Sequence, residues 1–431
     1  MTNNKLKRLS LKQSTAFLLY FGLFCMLFSS VATETGTQYL GNLLLYAMAL
    51  IAMYLVFSWT MGRAFKHRLS GLLNDDQFLN RVSIGLLVFS VIIVIVHFIW
   101  LRGIPVIQGA LNNDYYDIMR IRQAIFFEAP VFHRYMPNLL LKSVLPFLIL
   151  YFYIGKRPIL FWLTLIVATL YGTALMNKVF VVIPIAPLCA YLILKRHFFL
   201  FVKVLVLPVC LLASLVFVQN PQIRPTFWTP EGKATAAGKP LIVERTIGAK
   251  RYRGKDSIAE NKVEAALFPA FQFVETIYLR IYVIPGQVVS AWFNDIPEKL
   301  PFANGCGYRW AAALKGCDFL FFPQLVHDIE NPVLVKEGIH GTMTAGSFME
   351  DYANFGRLGL LFGGVLMGFF LALVGKIYSE KWQAALIFNF IPIAMLIELP
   401  LTTVLLTGGW ALTTFLYFIF QSRLAQLGSH E

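Results

Sequence analysis

Val82–Leu101 reads VSIGLLVFSVIIVIVHFIWL, 20 residues without one formal charge. A helix of that length reaches about 30 Å, the thickness of a bilayer's hydrocarbon core. A helix apolar on every side has no watery face to offer, so this stretch reads as a membrane span. The same ruler, moved outward, finds spans at 14–32, 42–61, 138–155, 158–174, 178–194, 198–218, 355–375, 383–401 and 402–421. The expected fold is an all-α polytopic membrane protein of about ten transmembrane helices.

Composition agrees with that class. Of 431 residues 58% are hydrophobic and 14% charged, where a soluble domain carries nearer a quarter charged. The net charge of +14 does not point to nucleic acid, because the bases sit in short clusters at the ends of apolar spans. Lys5, Lys7, Arg8 and Lys12 hold the N-terminus in the cytoplasm, and Arg63, Lys66, Arg68 and Arg81 flank the next two spans on the same side. Lys156 with Arg157, Lys195 with Arg196, Lys376 with Lys381, and Arg423 continue the alternation. The first apolar run resembles a signal peptide but is long enough to stay as a helix. The opposite side then receives the loop 102–137 and a long insert.

That insert divides the chain into a seven-helix region (1–218), a loop domain with amphipathic helices (219–343) and a three-helix region (344–431). Its segment RTIGAKRYRGK (245–255) has five bases and no acid. ALFPAFQFVETIYLRIYVIPGQVVSAWF (266–293) has apolar residues near helical spacing and reads as an amphipathic helix on the outer leaflet, broken at Pro285–Gly286.

Several polar residues beside the membrane are candidates for chemistry. Arg120 and Arg122, in DYYDIMRIRQ, offer guanidinium forks that suit phosphate oxygens, or they pair with Asp114, Asp117 or Glu128 on a solvated face. Lys178 stands where two helices turn on the outer side, either to meet an anion or to snorkel. Arg280 lies among apolar and aromatic neighbours and needs an anionic partner, from a ligand or from Glu275. His340, between Gly338 and Gly341, can take a proton near neutral pH or serve structure alone. Glu350 and Asp351 either assist catalysis or cap the start of the eighth helix. No Walker A, GxSxG, HExxH or DxD motif is present, and the five cysteines show no metal-binding spacing.

Three segments, YLRIYVIPGQVV (278–289), GSFMEDYANFGRLGLLFGG (346–364) and IELPLTTVLLTGG (397–409), together with the Arg-bearing loop and Lys178, resemble the Wzy-type O-antigen polymerases. The resemblance implies a GT-C-like membrane glycosyltransferase of the bacterial inner membrane, with its active site facing the periplasm. The donor would be an oligosaccharide on undecaprenyl pyrophosphate, and the further partners membrane lipids and a chain-length regulator. It implies Arg120, Arg122, Lys178 and Arg280 as pyrophosphate ligands and His340 as base, with Glu350 and Asp351 competing for that role. No metal and no cofactor is called for, and the spaced Arg…Gly repeats usual in the family are missing here. An O-antigen ligase, using lipid A core as acceptor, or a lipid-linked oligosaccharide flippase are the alternatives. In an oxidising periplasm Cys306 and Cys317, eleven residues apart, are expected to pair.

Overall fold

The computed structural model describes residues 14–60, 75–219, 221, 278–378 and 382–424, and the regular elements among them are all helices. Seven have the length and apolar composition to cross a membrane: Thr15–Thr35, Leu40–Thr60, Asp76–Leu101, Val131–Ile154, Phe198–Gln219, Ser347–Ile377 and Leu401–Ile419. The chain is therefore a multi-pass all-α protein. Three shorter apolar helices, Pro158–Ala174, Lys178–Leu194 and Trp382–Met395, stand at the places of three further expected spans. Proline punctuates all three, at Pro158, at Pro184 and Pro187 around a 3-10 turn, and at Pro392. Pro158 opens its helix, where the missing N–H costs nothing, whereas Pro392 lies inside its helix and removes a hydrogen bond.

Val131–Ile154 is the central helix. Its most apolar window is 72% buried, whereas Phe198–Gln219 on the periphery reaches 22%. Elsewhere large apolar side chains face outward, among them Met48 and Leu55 on one span and Val88, Phe89, Ile92 and Ile99 on another. Water would penalise such a surface and lipid does not. Polar pairs join the helices inside: Trp410 Nε1 donates to Asn389 Oδ1 (2.7 Å), and Thr413 Oγ1 to Ser143 Oγ (2.9 Å). The basic turns after Ile154 and Leu194 close alike. Lys156 and Arg196 take left-handed φ (53° and 57°), and the next N–H bonds back to Phe152 O (3.0 Å) or Leu192 O (2.9 Å).

Leu40–Thr60 lies along Ser347–Ile377, and glycine decides how closely. A Cβ at Gly364 would stand 2.7 Å from Tyr46 O, and one at Gly368 would stand 2.5 Å from Leu50 O. This is the small-xxx-small pattern, which lets two backbones approach where no hydrophobic effect drives them together.

The expected eighth span began at 355, but the helix begins at Ser347 and breaks at Gly356, where φ is 61° and ψ −138°. Only glycine adopts that conformation at low cost. The break turns Ser347–Phe355 out of line with the span and leaves its last carbonyls open. Ala303 N–H bonds to Ala353 O (3.0 Å) and Asn304 N–H to Asn354 O (2.9 Å). Buried Asn354 completes the clamp: its Oδ1 accepts from Gly305 N (3.1 Å) and Gly307 N (2.9 Å), while Nδ2 donates to Glu350 O (2.8 Å). The tyrosine of YANFG joins in, Tyr352 donating to Ile296 O (3.3 Å).

Two other expectations change. Pro285–Gly286 does not break the chain but opens the helix Ile284–Asp295, continuous with a π-turn at Leu279–Val283. Nor does this helix lie free on the leaflet: it packs against Thr15–Thr35, with Ser30 Oγ donating to Tyr282 O and Gly286 leaving room for Ser30. Residues 222–277, including 245–255, lie outside the described ones.

Cys306 and Cys317 are bonded, with Cα atoms 6.1 Å apart, and pin the short helix Arg309–Lys315 beneath the clamp. Closing so short a loop stabilises the fold by about 3 kcal/mol in the chain-entropy account. Alkylation in denaturant should therefore add three groups, at Cys25, Cys189 and Cys210, and five only after reduction. Five without reductant, read by intact mass, would mean that no bond forms.

Candidate functional site

The loop 102–137 begins with two short helices, Pro105–Leu111 and Tyr115–Gln123. Asp114 starts the second by accepting from Tyr116 N (2.8 Å). Its last turn carries Arg120 and Arg122, after which a π-turn, Ala124–Glu128, redirects the chain. Residues from the far side of the insert dock onto this turn. Arg120 Nη2 donates to Glu337 O (3.3 Å), and His340 N donates to Gln123 Oε1 (3.3 Å). Arg120 also pairs with Asp117 at 2.9 Å, but both side chains are about half exposed, so an anionic substrate can displace a pair worth about 0–1 kcal/mol.

His340 is built into a polar chain. The helix Phe322–Glu330 supplies two consecutive residues, His327 and Asp328. Met343 N bonds Pro323 O (2.8 Å), and buried Trp292 donates to Met343 O (2.9 Å), which fixes that helix against the strand of loop carrying His340. Asp328 Oδ2 lies 3.0 Å from His340 Nδ1, and Asp328 Oδ1 lies 3.2 Å from His327 Nδ1. Gly341 N also lies 3.2 Å from that same His327 Nδ1, and the nitrogen serves one of the two partners, as acceptor from Gly341 or donor to Asp328. A side chain at Gly341 would collide with the His327 ring, which accounts for glycine there.

The second oxygen of the Asp328 carboxylate, Oδ2, faces His340. A carboxylate facing Nδ1 accepts its proton, holds one tautomer and stabilises the imidazolium, so that Nε2 presents a lone pair. The His340 side chain is 42% exposed and reachable by substrate. Arg120, bonded to the same loop, brings a cation to the same face. Chemically, the arrangement can remove a proton from a hydroxyl beside a bound anion.

The other candidates fall elsewhere. Arg122 points along its own helix toward Met119 Sδ (3.7 Å). Lys178 opens the helix after the Asn177 cap, two residues before Phe180, whose ring meets Phe126 of the π-turn at 5.8 Å. Of Arg280 only the backbone, in the π-turn Leu279–Val283, is among the described residues. Glu350 and Asp351 do not cap the helix, since Gly346 holds the N-cap. Instead Tyr308 donates its hydroxyl to Asp351 Oδ1, and the Asp351 side chain lies against Gly363 across the Gly356 break. Burial first, and then the Asp351 carboxylate, push the Tyr308 phenol up, so it remains a donor. Among the described residues, no hydrogen bond ties the acidic pair to His340.

Sequence reasoning missed Asp328 and His327. VHDIE reads as the polar edge of a short amphipathic helix, and nothing in it marks a partner twelve residues on. Set against known proteins, the chain matches no family model, no curated protein and no solved structure.

Proposed function

We propose that this protein is a Wzy-type O-antigen polymerase of the bacterial inner membrane, with about ten spans, a GT-C-like fold and a site facing the periplasm. It would transfer a growing glycan from undecaprenyl pyrophosphate to a new lipid-linked repeat unit. The observation that carries the reading is the Asp328-oriented imidazole of His340 beside Arg120, on a loop outside the apolar spans. In the reaction His340 Nε2 takes the proton of the acceptor hydroxyl as its oxygen bonds the donor's anomeric carbon. The bond from that carbon to the pyrophosphate oxygen breaks, and the electron pair leaves with the lipid pyrophosphate. Arginine and lysine neutralise the charge that develops there.

A deletion strain tests the reading. Lipopolysaccharide capped with one repeat unit is expected on a gel; none at all points to a ligase, and lipid-linked units held on the cytoplasmic side to a flippase. Arg120→Ala, Arg122→Ala, Lys178→Ala and Arg280→Ala are each expected to shorten the polymer at unchanged protein abundance. Losing a charged hydrogen bond to the leaving group costs about 2–4 kcal/mol. Arg→Lys should rescue poorly at a bidentate site. Full-length polymer from all four would place the anion clamp in 245–255 instead.

A further inference from the structure

The disulfide-pinned helix Arg309–Lys315 turns an apolar face outward. Ala311 and Ala312 point inward and are buried, whereas Trp310, Ala313 and Leu314 share the opposite face at i, i+3, i+4 spacing. Trp310 is 66% exposed and Leu314 81%. A single apolar side chain on a surface is ordinary, but here the whole outward stripe of a helix is apolar. Exposed bases stand at its two ends. Arg309 lies over the Phe319 ring (4.8 Å), Lys315 donates to Asn304 O, and among the described residues neither pairs with a carboxylate.

The neighbouring span fixes the level of this face. Past the Gly356 break, Arg357 and Lys376 bound Leu358–Gly375, which carries no charge. At 1.5 Å per residue that stretch rises about 27 Å, close to the thickness of the hydrocarbon core. Leu358, Phe362 and Leu366 are exposed along it and face lipid. Phe355, exposed and two residues before Arg357, stands at the rim of that core. The Tyr308 ring lies 6.3 Å from the Phe355 ring, and Trp310 stacks on Tyr308 at 6.1 Å. The lipid-facing surface of the span thus continues through Phe355 and Tyr308 to Trp310.

We infer that Arg309–Lys315 is a membrane-surface anchor, with Trp310 and Leu314 set into the leaflet at the Gly356 end of the span. Tryptophan suits that boundary, because its ring is apolar and its N–H can meet the head groups. Arg309 and Lys315 reach the phosphates from either end of the helix. The anchor does not depend on the glycan chemistry proposed above, but it bears on that site. Leu320 N bonds to Cys306 O within the pinned loop, and the helix carrying His327 and Asp328 begins two residues later. Anchoring the loop sets the height of that helix over the bilayer.

The test uses full-length protein in nanodiscs of phosphatidylcholine and phosphatidylglycerol. Leu314→Cys, combined with Cys25→Ala, Cys189→Ala and Cys210→Ala, leaves one free thiol for a bimane label and keeps the Cys306–Cys317 bond. Lipids brominated near the carbonyl end of their chains should remove about half of the label's fluorescence, as they should for a label at Leu358→Cys, while aqueous iodide leaves it nearly unchanged. The unlabelled protein gives a second reading that leaves the loop intact. The fluorescence difference between wild type and Trp310→Phe isolates one of eight tryptophans and should be dimmed by the same lipids. A label quenched by iodide and not by bromolipid, with wild-type melting, would place the face in water and overturn the inference. Shielding from both quenchers would overturn it too, since another protein surface, such as a second copy, would then cover the face.

Discussion

His340→Ala is expected to lower the turnover of purified enzyme on lipid-linked repeat units by about 10²- to 10⁴-fold, the usual worth of a general base. The effect should fall on kcat, because the imidazole meets the reacting proton and not the glycan at large. Asp328 touches His340 and not the substrate, so it acts by positioning. Asp328→Asn keeps the shape but presents an amide that no longer fixes the Nδ1–H tautomer or offsets the imidazolium charge. Its kcat should drop in the same range with KM and melting temperature near wild type, and Asp328→Glu should recover part of the rate. A purely structural Asp328 would instead lower melting and abundance while leaving kcat per folded molecule intact. His340→Ala with near-normal turnover, alongside a dead Glu350→Gln or Asp351→Asn, would move the base to that carboxylate.

The contrast between His340 and its partner shows where sequence reading stops. The apolar spans were legible because hydropathy is a local, additive property of 15 to 25 consecutive residues. All ten apolar stretches form helices, seven of them long enough to cross by length and composition. Pairings across the chain have no such signature. Arg120 and Gln123 meet the loop of Glu337 and His340 across 217 residues, and Asp328 reaches His340 only after one helix and one turn intervene.

Gly356 was another local feature that could be seen but not read. Within NFGRLGLLFGG it resembles one more small residue of a membrane helix, and only its φ of 61° shows that it ends one helix and starts the next. Two substitutions should bring the largest losses of stability. Gly356→Ala places a side chain in a conformation costing about 1–3 kcal/mol, with its Cβ 3.2 Å from the Phe302 ring. Asn354→Ala leaves the Gly305 and Gly307 N–H groups without their acceptor in a buried setting, at about 1–3 kcal/mol each. The pair act on one element, so the double variant should lose less than the sum. Thermal melting of detergent-purified protein and abundance in the membrane are the measurements. Both should fall for each variant, while Gly305→Ala, at a φ of 99° but facing no closer contact than Lys315 Nζ at 3.4 Å, should cost no more than its backbone strain. Wild-type melting for Asn354→Ala would mean that the backbone bonds to Ala353 and Asn354 and the disulfide hold loop 303–307 without the amide. The order matters for the site, because this clamp ties the Cys306–Cys317 loop to Ser347–Phe355, the helix start reached seven residues after His340.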